Sequence, residues 1–522
     1  MDRKKLLVGV TPLLFTLILL VVLTQLNALA DDEGTRSPGV YVGSDACMTC
    51  HSEQYDGWNA TLHPNSWDTL IVDPLKQEEC EHCHVTGYDD VVNGGFDPAT
   101  DLPVEMRGTQ CEACHGPGED HVNSGDPVDT QVNLSARVCG AICHQEEHHP
   151  YYEEWNQSGH SLSLISLRGA AGAAEDACLE CHSADYILNE EPDRPSIATA
   201  EFAITCSVCH DPHNITNPYQ LRWPKDELCE RCHYPDGAIP GDPIYHPQSS
   251  MRDGRSGAPI LGEAFMPDVE CADCHIYMDM SDNITGHSFT QKPEACVECH
   301  QTTPPIYSVE LAEIQIAQWR TQTWTRIIDV QQVVVRAEGA IEDAPNYGFP
   351  ESTLQVAADL YNEANYSFSF VVADGSGGAH NPAFASALLN FSEDRSNELI
   401  ALLTPGTVRG RVVDAAGSPV EGVTIEKDGV TWATSKKNGS FEFEYAPGAH
   451  SFSLKLRGSN VGSIESVTVV AGEISDIGDL EVTEQDLFVP IMISIGVIII
   501  LSVIVAYLLL KIRGLRSKKE ES

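Results

Sequence analysis

Hydrophobic and polar positions change their rhythm several times along the chain. Leu6 to Leu26 is an apolar run behind Arg3, Lys4 and Lys5, and Ala28-Leu29-Ala30 follows it just before Asp31. That order predicts a signal peptide over residues 1–30. Residues 31–304 carry no sustained apolar period and are rich in Gly, Pro, Asp and Asn, which predicts short helices joined by loops. From Ser308 to Glu338 apolar residues recur at helical spacing without a Gly or Pro. Ser352 to Phe370 and Pro382 to Leu403 continue the pattern, interrupted by Gly375-Ser376-Gly377-Gly378. Residues 305–403 therefore read as a helical extension, a C-terminal bundle packing on the region before it. Thr407 to Val482 alternates between the two faces and is punctuated by turns, so 404–484 reads as a β-sandwich. Last, Leu487 to Leu510 is an uncharged run of 24 residues, enough for one transmembrane helix. The basic stretch KIRGLRSKK opens a cytoplasmic tail over 511–522, and the rest then faces outward.

Charge sharpens this picture. The formal net charge is −46. Setting aside the eight basic and three acidic residues at the two ends leaves 23 basic against 74 acidic, a net of −51. Nucleic acid is excluded as a partner, because its binding rests on cationic neutralisation of phosphates. The acidity reads first as solubility and second as steering of cationic partners. Eight N-x-S/T sequons, at Asn59, Asn133, Asn156, Asn214, Asn283, Asn365, Asn390 and Asn438, point to a glycosylated surface protein.

The loop-rich region carries the chemistry. Two cysteines followed at once by a histidine occur nine times between Cys47 and His300 and use all 18 cysteines. The motifs are Cys47-Cys50-His51, Cys80-Cys83-His84, Cys111-Cys114-His115, Cys139-Cys143-His144 and Cys178-Cys181-His182. Cys206-Cys209-His210, Cys229-Cys232-His233, Cys271-Cys274-His275 and Cys296-Cys299-His300 complete them. C-x-x-C-H is the attachment signature of haem c, in which two thioethers hold the porphyrin and the histidine reaches the iron. Zinc sites would not place a histidine after every pair, and a disulfide framework would leave the histidines unexplained. The sequence thus predicts nine covalent haems. The fourth motif has three residues between its cysteines, which predicts a differently seated haem. With about 28 residues per motif, the porphyrins themselves have to supply much of the apolar core.

Nine further histidines precede the β-sandwich and are candidates for the distal axial positions: His63, His121, His148, His149, His160, His213, His246, His287 and His380. His82 lies between the cysteines of its own motif and is poorly placed for another iron. The adjacent pair His148-His149 is the weak point, since one ligand too few would open one haem, the fourth first of all. A W-x-x-[ST]-x-H string recurs as Trp58-Thr61-His63 and Trp155-Ser158-His160, with each Trp expected against a porphyrin edge. His380, in a Gly-rich approach to a helix start, reads as a ligand, and His450 in the β region as structural.

Several strings resemble the multihaem superfamily that includes cytochrome c nitrite reductase, octahaem reductases and hydroxylamine oxidoreductase. They are CEACHGPGEDH (Cys111 to His121), W-x-x-S-G-H (Trp155 to His160), CSVCHDPH (Cys206 to His213) and GAHNP (Gly378 to Pro382). The resemblance covers about residues 45–403 and implies cross-ligated haem pairs, with His121 and His213 serving neighbouring haems. No C-x-x-C-K motif is present, so the catalysis of that group is not implied. Gly410 through Val423 and the following NGSFEF resemble carboxypeptidase regulatory-like domains of the immunoglobulin-like class, which implies a spacer or adhesion module. The expected fold is a multihaem cytochrome c of short helices and loops with a C-terminal helical bundle, a β-sandwich domain and one membrane anchor. The expected function is electron transfer with redox proteins or extracellular acceptors and donors, without catalytic residues. The alternative is an oxidoreductase acting on nitrite, hydroxylamine or tetrathionate at one five-coordinate haem.

Overall fold

A computed structural model describes residues 39–72, 80–130, 132–146, 149–170, 174–233, 244–255, 260–279, 281–301, 308–482 and 498–509. The expected signal peptide, His148, most of the expected membrane span and the basic tail lie outside the described residues. Residues 498–509 of that span are helical and exposed. Among the described residues, no helix is long and apolar enough to cross a membrane. The chain divides into two compact units, residues 1–232 with 268–313, and residues 233–267 with 314–522.

The first unit is built of one- and two-turn helices, and every cysteine motif lies on or beside one. Ser44–Met48, Glu81–His84, Cys111–His115 and Arg137–Gly140 carry or lead into the first four motifs. Leu179–His182, Cys206–Cys209, Glu230–His233, Cys271–His275 and Pro293–His300 carry the other five. Apolar clusters here are small: Tyr41, Val85, Phe96 and Met106 form one, and Leu164, Leu167, Leu179 and Ala200 another. Side chains of this number cannot close an ordinary core, in line with the scarcity of apolar periodicity.

Three long helices follow: α1 (Val309–Asp343), which belongs to the second unit from Ile314 on, α2 (Glu351–Asp374) and α3 (Pro382–Leu402). The α1 helix runs on past Glu338 through Gly339, and α2 past Phe370 to Asp374, where Gly375 at φ 71° ends it in the left-handed region. Asn381 caps α3 by accepting from the Phe384 N–H at 3.0 Å, with Pro382 at its first position. Ile327, Val330 and Val334 of α1 meet Tyr366, Phe370 and Val371 of α2 and Phe384, Leu388 and Leu389 of α3.

Seven strands follow. β1 (Gly406–Asp414), β4 (Ser440–Tyr445) and β7 (Ile474–Val482) form one sheet in the order β4-β1-β7, with β1 and β7 parallel. The strands β2 (Val423–Lys427), β3 (Val430–Thr434), β5 (Gly448–Leu456) and β6 (Ser459–Val469) form an antiparallel sheet in the order β3-β2-β5-β6. Buried and open positions alternate along β4, the period-2 pattern of a strand with one face in a core. That core joins Val408, Val412, Phe441 and Phe443 of one sheet to Ile425, Phe452, Leu454 and Ile464 of the other. It does not stop at the sandwich. Ala337 of α1, Ala344 in the turn just after it, Phe349, Ala357 of α2, and Leu399 and Leu403 at the end of α3 belong to the same cluster. His450 is held structurally, donating from Nε2 to the Ala446 carbonyl at 2.8 Å and accepting from Lys427 at 3.2 Å.

Candidate haem-attachment sites

The C-x-x-C-H spacing works through one helical turn. The N–H of His51 donates to the Cys47 carbonyl at 2.9 Å, and that of His210 to the Cys206 carbonyl at 2.9 Å. Both are i→i+4 bonds, which put the first cysteine and the histidine on one turn with the second cysteine beside them. In the fourth motif the equivalent bond, His144 N–H to the Cys139 carbonyl at 3.1 Å, spans five residues. The extra residue is absorbed as one wide turn of π type, and His144 keeps its relation to Cys139. Gly140 makes room for this turn, since a Cβ there would lie 2.2 Å from the Tyr152 ring.

The W-x-x-[ST]-x-H repeat is matched in its hydrogen bonds. Trp58 donates its indole N–H to the Thr109 carbonyl at 3.0 Å, two residues ahead of Cys111. Trp155 donates to the Ile204 carbonyl at 2.9 Å, two residues ahead of Cys206. Three residues after each histidine of the repeat comes a serine that organises the next motif. Nδ1 of His84 donates to the Ser66 carbonyl at 2.7 Å, and Nδ1 of His182 to the Ser163 carbonyl at 3.0 Å. The hydroxyls of Ser66 and Ser163 accept the backbone N–H groups of Thr109 and Ile204, each at 3.0 Å. The indoles therefore clamp backbone ahead of the third and sixth motifs, a role that the string alone does not disclose.

Hydrogen-bond partners also fix which nitrogen of each imidazole can bind a metal. Nδ1 of His210 donates to the Tyr219 carbonyl at 2.8 Å, of His275 to the Phe289 carbonyl at 2.8 Å, and of His121 to the Asp126 carbonyl at 2.9 Å. Nδ1 of His287 donates to the Thr285 carbonyl at 3.0 Å, and Glu154 accepts the backbone N–H groups of Thr285 (2.9 Å) and His287 (2.7 Å). A carbonyl can only accept, so Nδ1 carries the proton in each case and the Nε2 lone pair is the metal-binding one. Burial lowers the pKa of His63, His210, His213 and His287, and that of His144 to about 4. Neutral imidazole is the form that ligates.

Motif histidines and distal candidates meet in pairs. His51 lies with His121 at 6.0 Å between ring centroids, His115 with His213 at 6.0 Å, His210 with His287 at 6.3 Å and His233 with His246 at 5.6 Å. Two metal–nitrogen bonds of about 2 Å, plus roughly 1 Å from each nitrogen to its ring centre, put two axial imidazoles of one metal about 6 Å apart. The pairs thus fit axial ligation of haem iron. His144 has two such neighbours, His63 at 6.3 Å and His149 at 6.0 Å. The histidine of the fourth motif, the first suspect should one haem be open, thus has two rings near it. His160 packs edge-on to Phe289 at 4.4 Å, and His380 donates Nδ1 to Asp374 at 2.6 Å. His82 is exposed, its Nε2 3.2 Å from the Cys83 sulfur. His300 ends the helix Pro293–His300.

Cysteines of different motifs adjoin one another. Cys47 lies beside Cys111, Cys83 beside Cys143, Cys139 beside Cys206, Cys181 beside Cys232, and Cys229 beside Cys271. Cys114 adjoins Cys139, Cys209 adjoins Cys229, and Cys274 adjoins Cys296 closely enough for their charges to interact. The motifs therefore run as neighbours in the order first, third, fourth, sixth, seventh, eighth, ninth. The second motif branches from the fourth and the fifth from the seventh. Glu112, buried within the third motif, accepts from the backbone N–H groups of Val42 (2.9 Å), Gly43 (2.8 Å) and Gly118 (2.8 Å) and ties the chain before the first motif to it.

Comparison with known proteins agrees with this chemistry. Residues 262–419 match the family described as cytochrome c552, residues 46–116 cytochrome c554 and c-prime, and residues 200–238 the doubled CXXCH motif. Residues 407–483 match the carboxypeptidase regulatory-like domain. Cytochrome c nitrite reductase subunit NrfA of Nitratidesulfovibrio vulgaris is 29% identical over 163 residues, 28% of this chain. The match spans 30% of that relative's length. The outer cell wall cytochrome OcwA has a similar fold, with a TM-score of 0.53 at 21% identity over 68% of this chain and 99% of that one. An undecahaem cytochrome from the S-layer of Carboxydothermus ferrireducens gives 0.51 at 21% identity over 69% and 70%. Together these define a multihaem c-type cytochrome. The particular chain joins that cytochrome to a carboxypeptidase regulatory-like β-sandwich.

Proposed function

We propose that this chain is a nine-haem electron conduit, exported, held to the cytoplasmic membrane by residues 487–510 and facing outward. The observation that carries the reading is the unbroken order of neighbouring motifs, from Cys47-Cys50 at one end to Cys296-Cys299 at the other. The 18 cysteines would hold the porphyrins, the nine motif histidines the proximal positions, and His63, His121, His148, His149, His160, His213, His246, His287 and His380 the distal ones. When bound, each haem supplies a one-electron couple. The protein's part is to set spacing through the motif helices, to fix imidazole orientation through Nδ1, and to leave irons with two nitrogen ligands and no position for a substrate. Surface placement is supported by the two similar folds, one an outer cell wall cytochrome and the other from an S-layer. Seven of the eight sequon asparagines are exposed, all but Asn214, which suits glycosylation.

The test is spectroscopic. Intact mass should show nine haems. The oxidised protein should be low-spin throughout and unchanged by nitrite, hydroxylamine or cyanide. A native high-spin signal that titrates with hydroxylamine or nitrite, with turnover, would make the chain an oxidoreductase. Protease added to intact cells should remove the haem-bearing part and spare the tail. Protection of that part in cells with no outer barrier would refute the orientation.

A further inference from the structure

The Nδ1 partners of the candidate ligands are not all alike. His84, His121, His182, His210, His275 and His287 donate to backbone carbonyls, and Nδ1 of His233 faces the Gln248 side-chain oxygen at 3.1 Å. These partners are neutral. His213 has a carboxylate, Asp211, at 3.3 Å, but Arg222 shares it at 3.1 Å, and the Asp211 side chain is 23% exposed. His380 differs from all of them. Its Nδ1 lies 2.6 Å from Oδ1 of Asp374, whose side chain is fully buried. The other polar contacts of that carboxylate are the hydroxyl and the backbone N–H of Ser376, and among the described residues no lysine or arginine pairs with it.

A buried anion on Nδ1 does two things to an imidazole ligand. It pulls the N–H proton toward itself, which makes Nε2 a stronger donor, and it adds a negative charge near the metal where little solvent screens it. Both favour the ferric over the ferrous state, because the ferric centre carries one more positive charge. Neutral carbonyl partners do the first only weakly and the second not at all. We propose that Asp374 is a positioning and tuning residue that gives the haem ligated by His380 the lowest reduction potential of the array. The proposal rests on the reading of His380 as an axial ligand. Gln248 extends the arrangement: its side-chain amide donates to the Asp374 backbone carbonyl at 3.2 Å while its oxygen faces His233. The segment bearing Asp374 is thereby tied to a second ligand.

The full haem-loaded protein tests this by spectroelectrochemical titration combined with electron paramagnetic resonance. Asp374→Asn keeps an acceptor for Nδ1 but removes the charge. It should leave every haem low-spin and raise the lowest-potential wave by about 59 mV or more, a tenfold loss of preference for the ferric state in a one-electron couple. Asp374→Glu keeps the charge and should keep both the low-spin state and the low wave. His380→Ala should convert one haem to high spin. If His380→Ala leaves the spin state unchanged, the ligand reading fails and the proposal with it. If His380→Ala creates a high-spin haem but Asp374→Asn moves no wave, or a wave other than the lowest, the tuning fails and the ligand reading stands. An Asp374→Glu protein that is low-spin yet loses the low wave overturns the tuning too, and it remains decisive should the asparagine variant release the imidazole.

Discussion

His51 and His121 face each other with ring centroids 6.0 Å apart and planes inclined by 28°, although 70 residues separate them in the chain. One belongs to an attachment motif and the other to the helix Glu119–Ser124, which follows the third motif. The third motif's own histidine is paired in turn with His213, which follows the sixth. Cross-ligation of this kind, if these imidazoles hold haem iron as proposed, would staple the segments together. His121→Ala should therefore turn one centre high-spin without loss of haem mass, whereas His82→Ala should leave the spectrum as it was. Spin state by electron paramagnetic resonance and intact mass check both.

Gly57 lies against His213. A Cβ at position 57 would sit 1.6 Å from the His213 carbonyl oxygen, so Gly57→Ala has to move backbone. The expected cost is about 1–3 kcal/mol, the range for an overpacked site, together with one haem turning high-spin. Thermal unfolding and the spin-state spectrum read the two effects separately.

The wide turn of the fourth motif depends on Gly140 and Tyr152. Gly140→Ala should destabilise by roughly 1–3 kcal/mol and lower occupancy of the fourth attachment site. In a Tyr152→Gly background the same change should cost much less, because both the ring and the Tyr152 Cβ, which a Cβ at position 140 would meet at 2.5 Å, are gone. A double-mutant cycle in denaturant, with haem mass as a second readout, decides whether the two residues act as one device.

Ser66 and Ser163 occupy matching places but not with equal load. Ser163→Ala leaves the Ile204 N–H without its hydroxyl acceptor, whereas after Ser66→Ala the Thr109 N–H keeps the His63 carbonyl at 2.9 Å. A loss of about 1 kcal/mol is expected for Ser163→Ala and a smaller one for Ser66→Ala, measured by denaturant unfolding. Equal losses would show that the His63 carbonyl does not compensate.

Phe349→Ala tests the shared core of helices and sandwich. A large-to-small change there should cost about 3–5 kcal/mol, and it should lower the unfolding midpoint of helix and strand signals together. Separate transitions in the far-ultraviolet spectrum would show two independent folding units instead.

What could be read in the sequence was local. The C-x-x-C-H spacing is closed by a single turn, the long helices announce themselves by period, and the strands by alternation. Their ends were less legible: α1 tolerates Gly339 because tertiary packing outweighs its propensity. Pairings such as His144 with His63, or His210 with His287, join residues about 80 apart and leave no local trace. For the same reason the string around His148-His149 does not show that both His63 and His149 come near His144. The string around Trp58 and Trp155 does not disclose that both indoles hold peptide carbonyls. The burial of Asp374 also has no signal in the string around GAHNP.

The continuous core from Ala337 and Leu399 into Val408 and Phe452 has a mechanical consequence. A β-sandwich hung on a loose linker would sag and swivel. One whose interior is welded to the ends of the helices behaves as a bracket, so a load applied to its far strands is resisted by side-chain packing. Pulled between α2 and β7, such a body should yield at one force peak.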